Sequence, residues 1–160
     1  MPRGLRTEEA GAIHHVYARG NRGAPMFLDD RDRRRYLRVL GDTVAHRGWN
    51  CLAYCLMTNH VHLLVETPQP NLGHGMQRLH GAYASGFNKR HTTVGHVFQG
   101  RYGAKRIKDD VHLITVARYI DANPVEAGLA VTPDLWPWSS RALPNPRWLA
   151  DRRLQELLGL

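Results

Sequence analysis

The chain is poor in cysteine. Cys51 and Cys55 are the only two, and no CxxC pair is present, which excludes a zinc ribbon and a thioredoxin-type redox site. Both lie in an apolar, β-like run and are read as reduced core residues of a reducing compartment. Long apolar stretches are missing too: the longest, residues 51–57, is far too short to span a bilayer. Residues 1–9 lack the apolar segment of a secretory signal. There is no internal repeat, low-complexity tract or long linker before residue 130. What remains is a cytoplasmic globular protein with no membrane partner. Its 160 residues, 42% of them hydrophobic and 22% charged, suffice for one domain.

Lysine and acidic residues are also scarce. Three lysines stand beside 19 arginines, and 22 basic residues against 14 acidic ones leave a formal charge of +8. That balance, with a pI near 10.1, points to a polyanion, and to nucleic acid ahead of an anionic membrane. Guanidinium forks grip phosphate in two-pronged fashion, which lysine does not reproduce. A GC-rich genome explains the excess of arginine over lysine equally well, but not the net charge.

The pattern of elements reads β-α-β-β-α-β-α. Ile13 to Ala18 alternates as a strand and stops at the turn signals of residues 20–25. Asp29 or Asp30 can cap a helix to about His46, with Tyr36, Leu40 and Val44 on one face and arginines on much of the rest. Residues 49–65 read as two antiparallel strands around a turn at Thr58-Asn59. A helix from Asn71 to about Arg90 follows, weakened by four glycines. After a glycine-punctuated loop come a short strand, Ala104 to Lys108, and a helix capped by Asp109 that reaches Tyr119 and beyond. The first six elements spell an α+β, ferredoxin-like (split βαβ) fold: a four-stranded antiparallel sheet with two helices on one face. The third helix is extra and can cover the open face. The chain divides into an N-terminal arm (1–12), a main domain (13–131) and a Trp/Pro-rich tail with a short helix (132–160).

Two constellations carry chemistry. Within Asn59 to Val65, His60 and His62 are two apart on a strand, so they project to one face while Val61, Leu63 and Val65 project to the other. Two imidazoles so placed can chelate one divalent ion and leave positions open. An isolated pair of this kind is more often two half-exposed histidines. In Arg118 to Pro124, Tyr119 and Asn123 are i and i+4 on a helix. The proline predicts that the helix ends near Asn123, leaving the amide at an accessible terminus. A lone tyrosine there is more often a core or rim aromatic than a nucleophile.

Taken together, the stretches 17–22, 53–64, 95–102 and 118–129, with Trp136-Pro137-Trp138-Ser139-Ser140, resemble the single-tyrosine HUH transposases of small bacterial insertion sequences. They are nearest the subgroup associated with repetitive extragenic palindromes (REP). The resemblance runs over residues 13–140 with the motifs in order. It implies a ferredoxin-like sheet with an additional helix carrying a catalytic tyrosine. It implies Tyr119 as nucleophile, and His60, His62 and Asn123 as ligands of Mg²⁺ or Mn²⁺. The partner implied is single-stranded DNA bearing a hairpin or palindromic repeat, cut through a 5′-phosphotyrosine and rejoined without ATP. Asparagine rather than glutamine at 123 favours the REP-associated subgroup, while Glu126 stands where a basic residue is common. Arg19, Arg22, Arg101, Lys105 and Arg106 offer phosphate contacts and Phe98 and Tyr102 stacking surfaces. The chain would act as a monomer or a homodimer. Two other readings stay open on the residues alone: a non-catalytic arginine-rich nucleic-acid-binding module, and a metal-dependent hydrolase using only the histidine pair.

Overall fold

The computed structural model describes residues 8–160; most of the expected N-terminal arm, residues 1–7, lies outside them. Four strands, β1 (Ala12–Arg19), β2 (Asn50–Leu56), β3 (His60–Thr67) and β4 (Gly103–Arg106), form one sheet in the order β2-β3-β1-β4. Every neighbouring pair is antiparallel. Helices α1 (Asp30–Arg47) and α2 (Leu72–His91) cover one face, and α3 (Asp110–Glu126) packs on the other. This is the ferredoxin-like α+β arrangement expected from the order of elements. No helix among the described residues is long and apolar enough to cross a membrane.

Local chemistry accounts for the elements. The Asp29 carboxylate accepts the Asp32 amide at 3.0 Å and caps α1. Tyr36, Leu40 and Val44 are buried at i, i+4 and i+8, while Arg31, Arg34 and Arg38 stay exposed. Buried Asp32 binds Arg90 at 2.7 Å and His91 at 2.8 Å, tying the start of α1 to the end of α2. The glycines of α2 are tolerated because two of them allow close approach. A Cβ on Gly75 would sit 2.0 Å from the Trp49 indole, and one on Gly86 would sit 2.0 Å from the Arg35 guanidinium.

Three features depart from the sequence reading. A bulge between Cys51 and Ala53 resets the alternation of β2, so Cys51 faces α1 and α2 while Cys55 faces α3. Four apart on a regular strand they would share a face. Both are buried free thiols. Second, α3 continues through Pro124 to Glu126, so Asn123 lies inside the helix and not at its end. A proline in the last turn forfeits only one intrahelical hydrogen bond, and burial of Pro124 against the protein favours the helical path.

Third, the tail is integral to the sheet. The Leu56 amide donates to the Trp138 carbonyl at 2.8 Å and the Ser140 amide to the Tyr54 carbonyl at 3.0 Å, so residues 138–140 cover the outer edge of β2. Arg33 lies 5.4 Å from the Phe27 and Trp136 rings and 5.9 Å from that of Trp138. The terminal helix α4 (Asp151–Leu157) follows, and its Arg153 makes a two-pronged pair with Glu66 at 3.0 Å.

Candidate active site

The site is built on the α3-covered face of β1 and β3, the two central strands. Alternation along β3 buries Val61, Leu63 and Val65 beneath α1 and α2, and turns His60 and His62 to the opposite face. On β1, Tyr17 lies opposite His62, Arg19 opposite His60, and His15 opposite Leu64. His15, Tyr17 and Arg19 therefore share the face of the histidine pair. β4 closes the other side, with Lys105 opposite His15 and Gly103 opposite Tyr17. Buried Leu113, Val116, Ala117 and Ile120 anchor α3 against Leu52, Cys55 and Leu64, and this holds Tyr119 and Asn123 over the histidines.

The Tyr119 ring meets the His62 ring edge-on at 5.3 Å between centroids, and the His15 ring at 6.0 Å. Tyr119 is 48% exposed and His62 only 7%. His60 Nε2 stands 3.2 Å from Asn123 Oδ1, and His60 Nδ1 stands 2.8 Å from Asn59 Oδ1. His62 Nδ1 faces His15 Nε2 at 3.0 Å, whereas His62 Nε2 is buried without a hydrogen-bond partner. A cleft of about 640 Å³ opens beside these groups, lined also by Arg19, Gln99, Arg101 and Lys105.

All three imidazoles are held neutral. Burial pushes His62 down to about 3, reinforced by His15 and His60. Burial, followed by Lys105 and His112, pushes His15 to about 4. His60 is lowered by burial against the opposing effect of Asn123. Neutral imidazoles present lone pairs. If His60 carries its proton on Nδ1 for the Asn59 oxygen, its Nε2 lone pair faces the Asn123 oxygen lone pair, an arrangement that a cation between them would satisfy. The partnerless His62 Nε2 is a third donor on the same face. Two imidazole nitrogens and an amide oxygen with open positions suit a hard divalent ion shared with a substrate. Among the described residues no cluster of three or more His, Cys, Asp or Glu forms a ligand cage.

Of the residues singled out in the sequence, His60, His62, Tyr119 and Asn123 come together, and Arg19, Arg101 and Lys105 line their cleft. The others lie apart. Arg22 is exposed in the turn after β1 with φ 56°. Arg106 pairs with Glu9 at 2.7 Å, beside a separate depression that contains His14. Phe98 stacks on His80 at 4.0 Å and 9°, and Tyr102 is buried, both bordering a second cleft along α2. Sequence reading passed over His15 and Gln99. On the strand read from Ile13 to Ala18, His15 and Tyr17 fall on one face, but only the β1–β3 register reveals that it is the face of His60 and His62.

Comparison with known proteins identifies the family and the fold. The family model described as "Transposase IS200 like" matches residues 9–123. A solved structure of a REP-associated tyrosine transposase bound to a REP hairpin superposes with a TM-score of 0.74, at 15% identity, over 88% of this chain and 82% of the other. A crystal structure of a candidate transposase from Deinococcus radiodurans matches with a TM-score of 0.50, at 20% identity, over 75% of this chain and 95% of that one. No curated protein matches.

Proposed function

Because the chain belongs to the IS200-like transposase family, we propose that it is a single-stranded DNA endonuclease and strand transferase that works beside hairpin or palindromic repeats. The observation that carries this reading is the convergence of Tyr119, His60, His62 and Asn123 across a basic cleft. A pure binding module has no use for that quartet. The kinship in fold with a transposase bound to a REP hairpin supports a hairpin-bearing substrate.

The half-exposed Tyr119 hydroxyl is the nucleophile. Its oxygen attacks the scissile phosphorus in line, the P–O3′ bond breaks, and the products are a 5′-phosphotyrosine and a free 3′-hydroxyl. The phenolic proton leaves and the departing 3′-oxygen gains one, so the step is balanced. The reverse attack by a 3′-hydroxyl on the phosphotyrosine reseals a strand without ATP. Mg²⁺ or Mn²⁺ on His60, His62 and Asn123 would supply polarisation of the phosphate and stabilise charge on the leaving oxygen. Arg19, Arg101 and Lys105 neutralise flanking phosphates and orient the strand along the cleft. The nucleophile and the three proposed ligands belong to one chain, which would work in the cytoplasm as a monomer or a homodimer. Residues 13–131 carry the catalytic unit and residues 132–160 brace its sheet edge.

The test is incubation with labelled single-stranded hairpin oligonucleotides and Mn²⁺, followed by denaturing electrophoresis. A covalent adduct mapping to Tyr119 and lost in Tyr119→Phe is expected. An adduct that persists in that variant overturns the nucleophile. Cleavage with no adduct points instead to a hydrolase, and binding without cleavage to a non-catalytic module.

A further inference from the structure

Among the described residues, His15 is the one polar partner of the buried His62 ring, at Nδ1 and not at the proposed ligand atom Nε2. We infer that His15 is a positioning residue: it accepts the proton of His62 Nδ1 and thereby leaves the His62 Nε2 lone pair available to a cation. The inference rests on the metal-dependent reading above.

Two neutral imidazoles facing each other at 3.0 Å share one N–H. If His15 Nε2–H were the donor, the His62 proton would sit on Nε2. That N–H is buried and has no acceptor among the described residues. Buried without a partner, Nε2 is unsatisfied whether it carries a proton or a lone pair, but a cation can satisfy the lone pair and not the N–H. Proton placement on His62 Nδ1 leaves Nε2 as the lone pair that a cation would take. His15 then carries its own proton on Nδ1, which is not among the buried groups lacking a partner. A ligating histidine is commonly backed in this way by a carboxylate or carbonyl that fixes its tautomer. Here an imidazole on the neighbouring strand serves instead.

The geometry is stiff enough for that role. His15 is clamped in the sheet between Leu64 on β3 and Lys105 on β4. Its ring stacks on His62 at 5.2 Å and 28°, and lies 5.4 Å from Tyr17 and 6.0 Å from Tyr119. The ladder that pairs β1 with β3 thus sets the orientation of the His62 ring as well as its position.

Long-range ¹H–¹⁵N NMR of the histidine rings in the metal-free protein at neutral pH reads the tautomer directly. The expected result is His62 protonated on Nδ1. His62 protonated on Nε2 overturns the inference without any variant. Mn²⁺ titration, followed by electron paramagnetic resonance of the free ion, gives the second readout. His15→Phe keeps a ring but loses the acceptor, and should weaken Mn²⁺ binding about ten- to hundredfold. His15→Gln brings an amide oxygen close to the same point and should restore most of the affinity. Unchanged affinity in His15→Phe overturns the inference. If the wild-type protein shows the Nδ1–H tautomer but binds no Mn²⁺, the metal-dependent function fails while the assignment of His15 stands.

Discussion

Lowering the pH should destabilise this protein through imidazoles that their surroundings keep unprotonated. His62 is 7% exposed and burial pushes it down to about 3. His80, packed against Tyr36 and Phe98, is pushed by burial to about 3 as well. In the unfolded chain both return to 6.5. Between 6.5 and 3 the unfolded chain therefore binds protons that the folded chain refuses. Stability contributed by these rings is fully present above 6.5 and is lost as the pH falls toward 3. Each ring changes stability by at most about 1.4 kcal/mol per pH unit in that window. From pH 7.5 to pH 5 the two together remove about 4 kcal/mol, a large share of the roughly 5–15 kcal/mol that holds a domain folded. The carboxyls of Asp29 and Glu66, held below their usual range by Arg90 and Arg153, lose their contribution only below their ordinary values of 3.8 and 4.5, outside this interval. Urea titrations of metal-free protein at pH 7.5, 6 and 5, followed by tryptophan fluorescence, measure the slope. His62→Gln should remove the share of this ring, about 2 kcal/mol between pH 7.5 and 5. Stability that is flat from pH 7.5 to 5, or an unchanged slope in His62→Gln, would refute the reasoning.

Other outcomes follow from the packing and charge described above. Gly81→Ala, with open space at its Cβ position, should stabilise α2 by about 0.5–1 kcal/mol, whereas Gly75→Ala, which drives a methyl into the Trp49 ring, should destabilise by about 1–3 kcal/mol; thermal melts of the pair decide, and equal signs would contradict the close-approach argument. Removing residues 132–160 uncovers the outer edge of β2 and should produce self-association in light scattering; a monodisperse fragment with the full-length melting temperature would show that the tail is dispensable. Lys105→Ala and Arg101→Ala should each weaken single-strand binding and reduce the salt slope of log K by about 1, while Arg106→Ala, already paired with Glu9, should change it less in fluorescence anisotropy titrations.

The sequence alone determined whatever depends on near neighbours along the chain. Apolar spacing and caps set the helices and strands, and period-two alternation sent His60 and His62 to the face opposite Val61, Leu63 and Val65. The i, i+4 spacing put Tyr119 and Asn123 on one side of a helix. Motif order then sufficed for the family. The tertiary structure decided whatever depends on pairing between distant segments. The β1–β3 register is a contact between residues more than 40 apart, so His15 became visible as the partner of His62 only once that ladder was known. Arg106 and Lys105 are adjacent in sequence, yet alternation along β4 and the β1–β4 register sent only Lys105 into the cleft. The proline rule failed at Pro124 because burial outweighs one missing hydrogen bond near a helix end. That the Trp/Pro-rich tail braces the sheet was not legible locally, because its hydrogen bonds go to the edge of β2, some 80 residues away. Local physics wrote the parts of this candidate site; non-local pairing chose which of its basic and aromatic residues stand beside Tyr119.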